Sequence, residues 1–180
     1  ETESHLFIYG FMFPDIQSYL HAHFVDPILV FPDTLPKTSP LPGVPELLQI
    51  AGNHSGGMLQ VNVMRDSVNG KKDNQDRVLV FSSEDPALAI VAIFDGHGKE
   101  GHRVASFVRQ AFLTAFLRPS IPTAACVQGR TVGAIKEAEA ELIHCEEIDS
   151  KRSGCTANIG IVCRDPDGTL CFDSVHVGDS

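Results

Sequence analysis

Three short acidic stretches hold the residues best suited to chemistry in this chain: Asn74-Gln75-Asp76, Asp95-Gly96-His97-Gly98 and Val177-Gly178-Asp179-Ser180. Carboxylates are hard oxygen donors of the kind Mg2+ and Mn2+ prefer, and backbone carbonyls and water can complete an octahedral shell around them. Glycine at 96 lets the backbone approach a ligand closely and expose its carbonyl. An imidazole such as His97 exchanges a proton near neutral pH, which suits general acid–base work. Taken singly, Asp76 and Asp179 read better as turn caps than as ligands. The case for a site therefore depends on the elements that carry the three stretches to one place.

The element that must hold Asp95 is Leu88 to Phe94, seven consecutive apolar residues that end at the Asp-Gly-His-Gly turn. A run of this kind predicts a strand buried on both faces. Each buried Leu, Ile, Val or Phe contributes roughly 1.5–3 kcal/mol, which fixes such a strand in the core. Upstream, Met58 to Met64 alternates apolar and polar residues as a half-buried strand does, Asn69-Gly70 is a turn signal, and Arg77 to Phe81 begins a further strand. Downstream, Val104, Phe107, Val108, Ala111, Phe112, Ala115 and Phe116 recur at helical spacing, and Pro119 and Pro122 end that helix. A second amphipathic helix sets Val132, Ile135, Leu142 and Ile143 on one side and Glu137, Glu139, Glu141 and Glu146 on the other. Two strands follow, Cys155 to Cys163 and Leu170 to Val177. The Asp165-Pro166-Asp167-Gly168 turn between them predicts an antiparallel hairpin. Strands, two helices, then strands predict an α+β fold: an antiparallel β-sandwich flanked by helices.

Residues 1–52 differ in texture. Prolines cluster at Pro32, Pro36, Pro40, Pro42 and Pro45, while Leu6 to Val30 is rich in aromatic and apolar residues. This stretch reads as an aromatic and Pro-rich extension that packs on the main domain, residues 53–180, or makes an intra- or intermolecular contact. The net charge of −9 argues against nucleic acid and anionic membrane surfaces as partners. No apolar stretch has the length of a membrane span. Five cysteines show neither CxxC spacing nor a zinc pattern, so a reducing, intracellular setting, cytoplasmic or nuclear, is expected.

Asp95-Gly96-His97-Gly98, directly after an apolar strand and before an amphipathic helix, resembles the signature of the metal-dependent Ser/Thr protein phosphatases of the 2C type. Asn74-Gln75-Asp76 is similar to the family's upstream acidic element, Gly154-Cys155-Thr156-Ala157 to its Gly-Ser-Thr-Ala, and Val175 to Ser180 to its Ala-Asn-Val-Gly-Asp-Ser strand. The four occur in the family's order and span about 56 to 180. The resemblance implies hydrolysis of phosphoserine and phosphothreonine in phosphoprotein substrates by a hydroxide held between two Mg2+ or Mn2+ ions. It implies Asp95 as the bridging ligand, the Gly96 carbonyl as a second ligand, Asp76 and Asp179 near the metals, and His97 as the general acid. His102 reads instead as a surface residue.

Phosphate also needs a cation, and Lys71, Lys72 and Arg65 are the candidates. Two departures stand out. Gln75 takes the place of the Glu found in many members, and the family's later metal-binding aspartates have no counterpart before Ser180. The expectation is therefore the first half of a 2C-type domain, active once further carboxylates are supplied. The alternative is a catalytically silent 2C-like domain that binds or regulates a partner. A third reading, an unrelated acidic α+β domain whose strand ends happen to match, would be supported by Asp76 and Asp95 lying on opposite faces.

Overall fold

The computed structural model describes residues 28–30, 46–54, 57–65, 74–83, 88–118, 127–164 and 167–179. In chain order the elements are β1 (Ile28–Val30), β2 (Glu46–His54), β3 (Gly57–Arg65), β4 (Arg77–Ser83), β5 (Leu88–Phe94), β6 (Gly96–Gly98), α1 (Gly101–Leu117), α2 (Val127–Ile143), β7 (Ser153–Cys155), β8 (Ala157–Arg164) and β9 (Leu170–Val177). Five strands form one antiparallel sheet in the order β1-β4-β5-β8-β9. The β2–β3 hairpin is a sheet of its own, and β6 and β7 form a third, short one. The fold is thus mixed α+β, built on an antiparallel sheet and two helices. The proline cluster between Pro32 and Pro45 and the Asn69-Gly70 turn lie outside the described residues.

The core lies between one face of the sheet and α1. Leu79, Phe81, Leu88, Ile90, Ala92, Phe94, Ile159 and Ile161 point to the same side at alternating positions and are buried. Against them α1 sets Val104, Ala105, Val108, Phe112 and Phe116, all buried at helical spacing. Phe112 is the hub, with its ring centroid 6.2 Å from that of Phe94 in the sheet and 5.7 Å from that of Phe116 one turn on. Tilted pairs at this spacing add to area burial. Leu113, Thr114 and Leu117 are buried as well, because α2 covers the other side of α1.

Three sequence expectations need correction. On α2 the buried stripe is Thr131, Ala134, Ala138 and Leu142, whereas Val132 is 37% and Ile143 66% exposed. Small residues let α2 approach the aromatic surface of α1, so its bulky residues are left on the flank. Arg130 reinforces the contact: its Nε donates to the Phe116 carbonyl at 2.7 Å, and its guanidinium lies 4.7 Å from the centre of the Phe116 ring. Glu137, assigned to the open side, meets Arg118 at the end of α1. Nor is β5 buried on both faces. Its helix-facing side is closed, but Ile93 is 49% exposed on the opposite face, next to half-buried Val91. Across β8 and β9 the same face presents Phe172 and Leu170, both largely exposed.

The hairpin predicted at the chain's end forms, with Arg164 opposite Leu170 and Ala157 opposite Val177. The strand expected over Cys155 to Cys163 is instead two strands, split at Thr156, where the chain changes sheets.

Truncating the hub should open a cavity that neither sheet nor helix can close. Phe112→Ala is expected to cost about 3–5 kcal/mol of unfolding free energy, read from urea denaturation with an unchanged m-value.

Candidate functional site

The site is built at one end of the five-stranded sheet, where β4 and β8 begin and β5 and β9 finish. Arg77, the first residue of β4, is opposite Phe94, the last of β5. Continuing that register by one residue sets Asp76 opposite Asp95. Phe94 faces the helices, so both aspartates belong to the other face, and both are exposed. The arrangement that would have marked an unrelated domain, with the two on opposite faces, is not what the register gives.

Beyond Asp95 the chain leaves the large sheet. Gly96, His97 and Gly98 pair with Cys155, Gly154 and Ser153. At the fork the Thr156 N–H donates to the Asp95 carbonyl at 2.9 Å. This bond fixes the backbone of Asp95 against the start of β8. Gly178, just past β9 with φ +100°, lies so close to Thr156 that a Cβ there would stand 2.8 Å from the threonine Cγ2. Asp179 follows, exposed, at the same end of the sheet. Four segments far apart in sequence therefore meet here.

Gln75 ties the first segment to the second. Its Nε2 donates to the Gly98 carbonyl at 3.2 Å, and its side chain packs directly on Gly101 at the start of α1. A carboxylate could not make this donation, so Gln75 has a structural task that the Glu of the resembling pattern would not perform. Its Oε1 is buried with no hydrogen-bond partner among the described residues. Glycine is required at 96 by close approach: a Cβ there would stand 2.7 Å from the Gln75 carbonyl oxygen and closer still to that of Gly101. Gly98 adopts φ +86°, the left-handed region, with the Arg152 carbonyl where a side chain would be.

His97 is exposed, with its ring seated over Gly154: a Cβ on Gly154 would come within 2.7 Å of Nε2 and 2.8 Å of Cε1. The Cys155 thiol is pushed up to about 11 by burial and then by the charge of Asp95, which keeps it protonated and makes it a poor ligand. His102 is half-buried on α1, and its carbonyl accepts from Ser106 Oγ at 2.7 Å.

Two residues that the sequence did not single out hold this end together. Arg77 donates from Nε to Ser106 Oγ at 2.8 Å and from Nη1 to the carbonyls of Asn74 and Asp76 at 3.1 and 2.8 Å, joining the acidic turn to α1. Glu100 is a knot between three segments. Its N–H donates to Ser153 Oγ at 2.9 Å, its Oε2 accepts from the Asp149 N–H at 2.7 Å, and its Oε1 accepts from Arg103 at 2.9 Å. The only sequence signal for either was a charged residue bordering an apolar element, which most exposed faces share.

The phosphate candidates fall outside the segments that meet here or outside the described residues. Arg65 ends β3, opposite Glu46 in the separate hairpin, while Lys71 and Lys72 lie outside the described residues. Among the described residues no group of three or more His, Cys, Asp or Glu side chains comes together as a metal cluster. What the end of the sheet does offer a hard divalent cation is oxygen: the exposed carboxylates of Asp76 and Asp95 and the Gly96 carbonyl. That is a partial donor set of the right chemistry.

No family model matches the chain, and no curated protein matches it in sequence. Among the described residues no helix is long and apolar enough to cross a membrane.

Two expectations follow. The Glu100 carboxyl is held below its usual range, first by the Asp149 N–H and then by Arg103. Its folded value lies below its unfolded one, so the stabilisation is present above the unfolded carboxylate range and is lost as pH falls through the folded value. Glu100→Gln should lower the melting temperature at neutral pH, with the gap to the unmodified protein closing in acid, as thermal scans across that range would show. Gly154→Ala should push the exposed His97 ring aside rather than strain the backbone. Stability should change by less than about 1 kcal/mol, while the His97 imidazole resonances shift in NMR spectra.

Proposed function

We propose that this chain carries the front part of a metal-dependent Ser/Thr protein phosphatase domain of the 2C type, acting on phosphoproteins in the cytoplasm or nucleus. The observation that supports this reading is convergence. Asn74-Gln75-Asp76, Asp95 to Gly98, Gly154 to Ala157 and Gly178-Asp179 resemble four elements of one active site, and all four meet at one sheet end. A polar face at the end of a rigid strand is also where a preorganised site is best held. The helix-distal face that bears Asp76 and Asp95 continues into the apolar surface of Ile93 and Phe172. A second sheet layer, as in a sandwich, would pack there.

In this reading Asp95, the Gly96 carbonyl and Asp76 would be the oxygen donors that hold Mg2+ or Mn2+ ions. Asp179 would lie near an outer position, and further carboxylates would be needed to complete the shells. Two such ions supply a deprotonated water able to attack phosphorus near neutral pH. The chain's own residues do the remainder. The Thr156 N–H fixes the Asp95 backbone, so its carboxylate projects from an immobile base. Gln75 clamps the Gly98 carbonyl and holds the turn in shape. His97, seated on Gly154 and open to solvent, gives its proton to the departing serine or threonine oxygen, a poor leaving group as an alkoxide. Phosphate charge would be met by Lys71, Lys72 or Arg65.

The second reading, a silent 2C-like module that binds or regulates a partner, is favoured by one observation. Gln75 spends its amide on the Gly98 carbonyl and brings no negative charge to the site. Metal binding separates the two readings: calorimetry on the full-length protein is expected to show two Mn2+ per chain, and no binding would support the silent module.

For activity, Asp95→Ala should abolish Mn2+-dependent hydrolysis of phosphothreonine peptides while leaving the fold intact, since the side chain is exposed. His97→Ala should slow it about 10²–10⁴-fold. Undiminished turnover by the Asp95 variant would sink the proposal.

A further inference from the structure

The β8–β9 hairpin holds a pair of cysteines that the proposed chemistry does not use. Cys163 and Cys171 are directly opposite one another in antiparallel register, one pair in from the turn, and both are thiols. Opposed residues in antiparallel strands have Cα atoms about 4.5 or 5.5 Å apart. A disulfide spans Cα separations of about 4.4–6.8 Å. The register therefore places the pair within the Cα span of a disulfide. Both side chains are on the helix-facing side of the sheet, in line with Ile159 and Ile161, and both are half-buried, so a small reagent can reach them.

The turn is fixed from within. Arg164 Nη1 donates to the Gly168 carbonyl at 2.5 Å, and the Thr169 N–H donates to Asp167 Oδ1 at 2.9 Å. That bond also holds the Asp167 carboxyl below its usual range. Gly168 supplies the positive φ of +89° that the turn needs. With strand register and turn both set, the two sulfurs meet at a far higher effective concentration than two thiols in solution.

We propose that Cys163 and Cys171 are an oxidation site, closing to a reversible cross-strand disulfide with a small-molecule disulfide such as glutathione disulfide as oxidant. One of the two thiolates attacks a sulfur of glutathione disulfide and releases one glutathione thiolate. The second thiolate then attacks the protein sulfur of that mixed disulfide and releases the other. Two protein thiols are oxidised by two electrons, and one glutathione disulfide becomes two glutathione thiols, which take up the protons. The bond would join β8 to β9, the edge strand whose far end carries Gly178 and Asp179. It is independent of whether the chain is a phosphatase.

The test is to equilibrate the full-length protein with glutathione disulfide, block the remaining thiols with iodoacetamide, and map linkages by mass spectrometry after trypsin, which cuts at Arg164 between the two cysteines. Within this chain, alkylatable thiols should fall from five to three. The Cys163 and Cys171 peptides should appear joined, and dithiothreitol should restore all five. Cys155 shares the Cys163 peptide, so the same experiment on Cys155→Ser must give the same linkage. In Cys163→Ser and Cys171→Ser the partner cysteine should instead retain glutathione. Five alkylatable thiols after equilibration, a mixed disulfide that persists on the unmodified protein, or a linkage to Cys155 or Cys145 would each overturn the proposal.

Discussion

Everything at the functional end depends on one backbone hydrogen bond, from the Thr156 N–H to the Asp95 carbonyl. The chain diverges twice at this point. β5 stops pairing with β8 and becomes β6, while β7, which pairs with β6, becomes β8. The bond sits in the crotch of that fork and stops it from opening. Without it the acidic residue after β5 would sit on a free turn. With it, the Asp95 backbone is held as firmly as the core strand behind it, although the side chain is in water.

The second constraint is crowding. Gly96, Gly98, Gly101, Gly154 and Gly178 all sit where a single extra carbon would meet a neighbour at under 3 Å. At Gly96 and Gly98 the neighbour is backbone, at Gly101 the side chain of Gln75 and the Gly96 backbone, and at Gly154 and Gly178 the side chains of His97 and Thr156; Gln75, Arg77 and Glu100 tie these segments together. Around this close-packed frame Asp76, Asp95 and His97 are exposed. Polar groups do the supporting work that buried apolar side chains do elsewhere in the molecule.

The sequence made the large elements legible because each has a strong period or a hard stop. The run from Leu88 to Phe94, the aromatic stripe on α1 and the Asp-Gly turn after Arg164 all gave their elements close to the observed bounds. Burial was less legible. On α2 the contact is made by Thr131, Ala134 and Ala138, whose small size matters only because the phenylalanines of α1 fill the space, and a single segment cannot report that. The exposed side of β5 escaped for a similar reason: seven apolar residues do not say which face is covered. In the site, Asp95 and His97 could be picked out by type and position, and Asp76 by its place before a strand. The clamp made by Gln75, the tie made by Arg77 and the knot at Glu100 come from residues 20 to 50 positions apart that meet only in three dimensions.

The order in which the sheet is wired bears on how the chain can reach this state. The pairs β4–β5 and β8–β9 join neighbours in sequence, and the α1–α2 contact is local too. The pair at the centre, β5 with β8, is not: Leu88 meets Cys163 across both helices. Closing so long a loop costs entropy before any contact repays it, and topologies rich in such pairs fold slowly. Here α1 and α2, packed on one another, occupy the intervening chain, so the loop to be closed is effectively shorter than its residue count. A helical pair formed early would act as a brace for the central seam, and the segments around Asp95, which lie at the end of that seam, would take their final form when it closes.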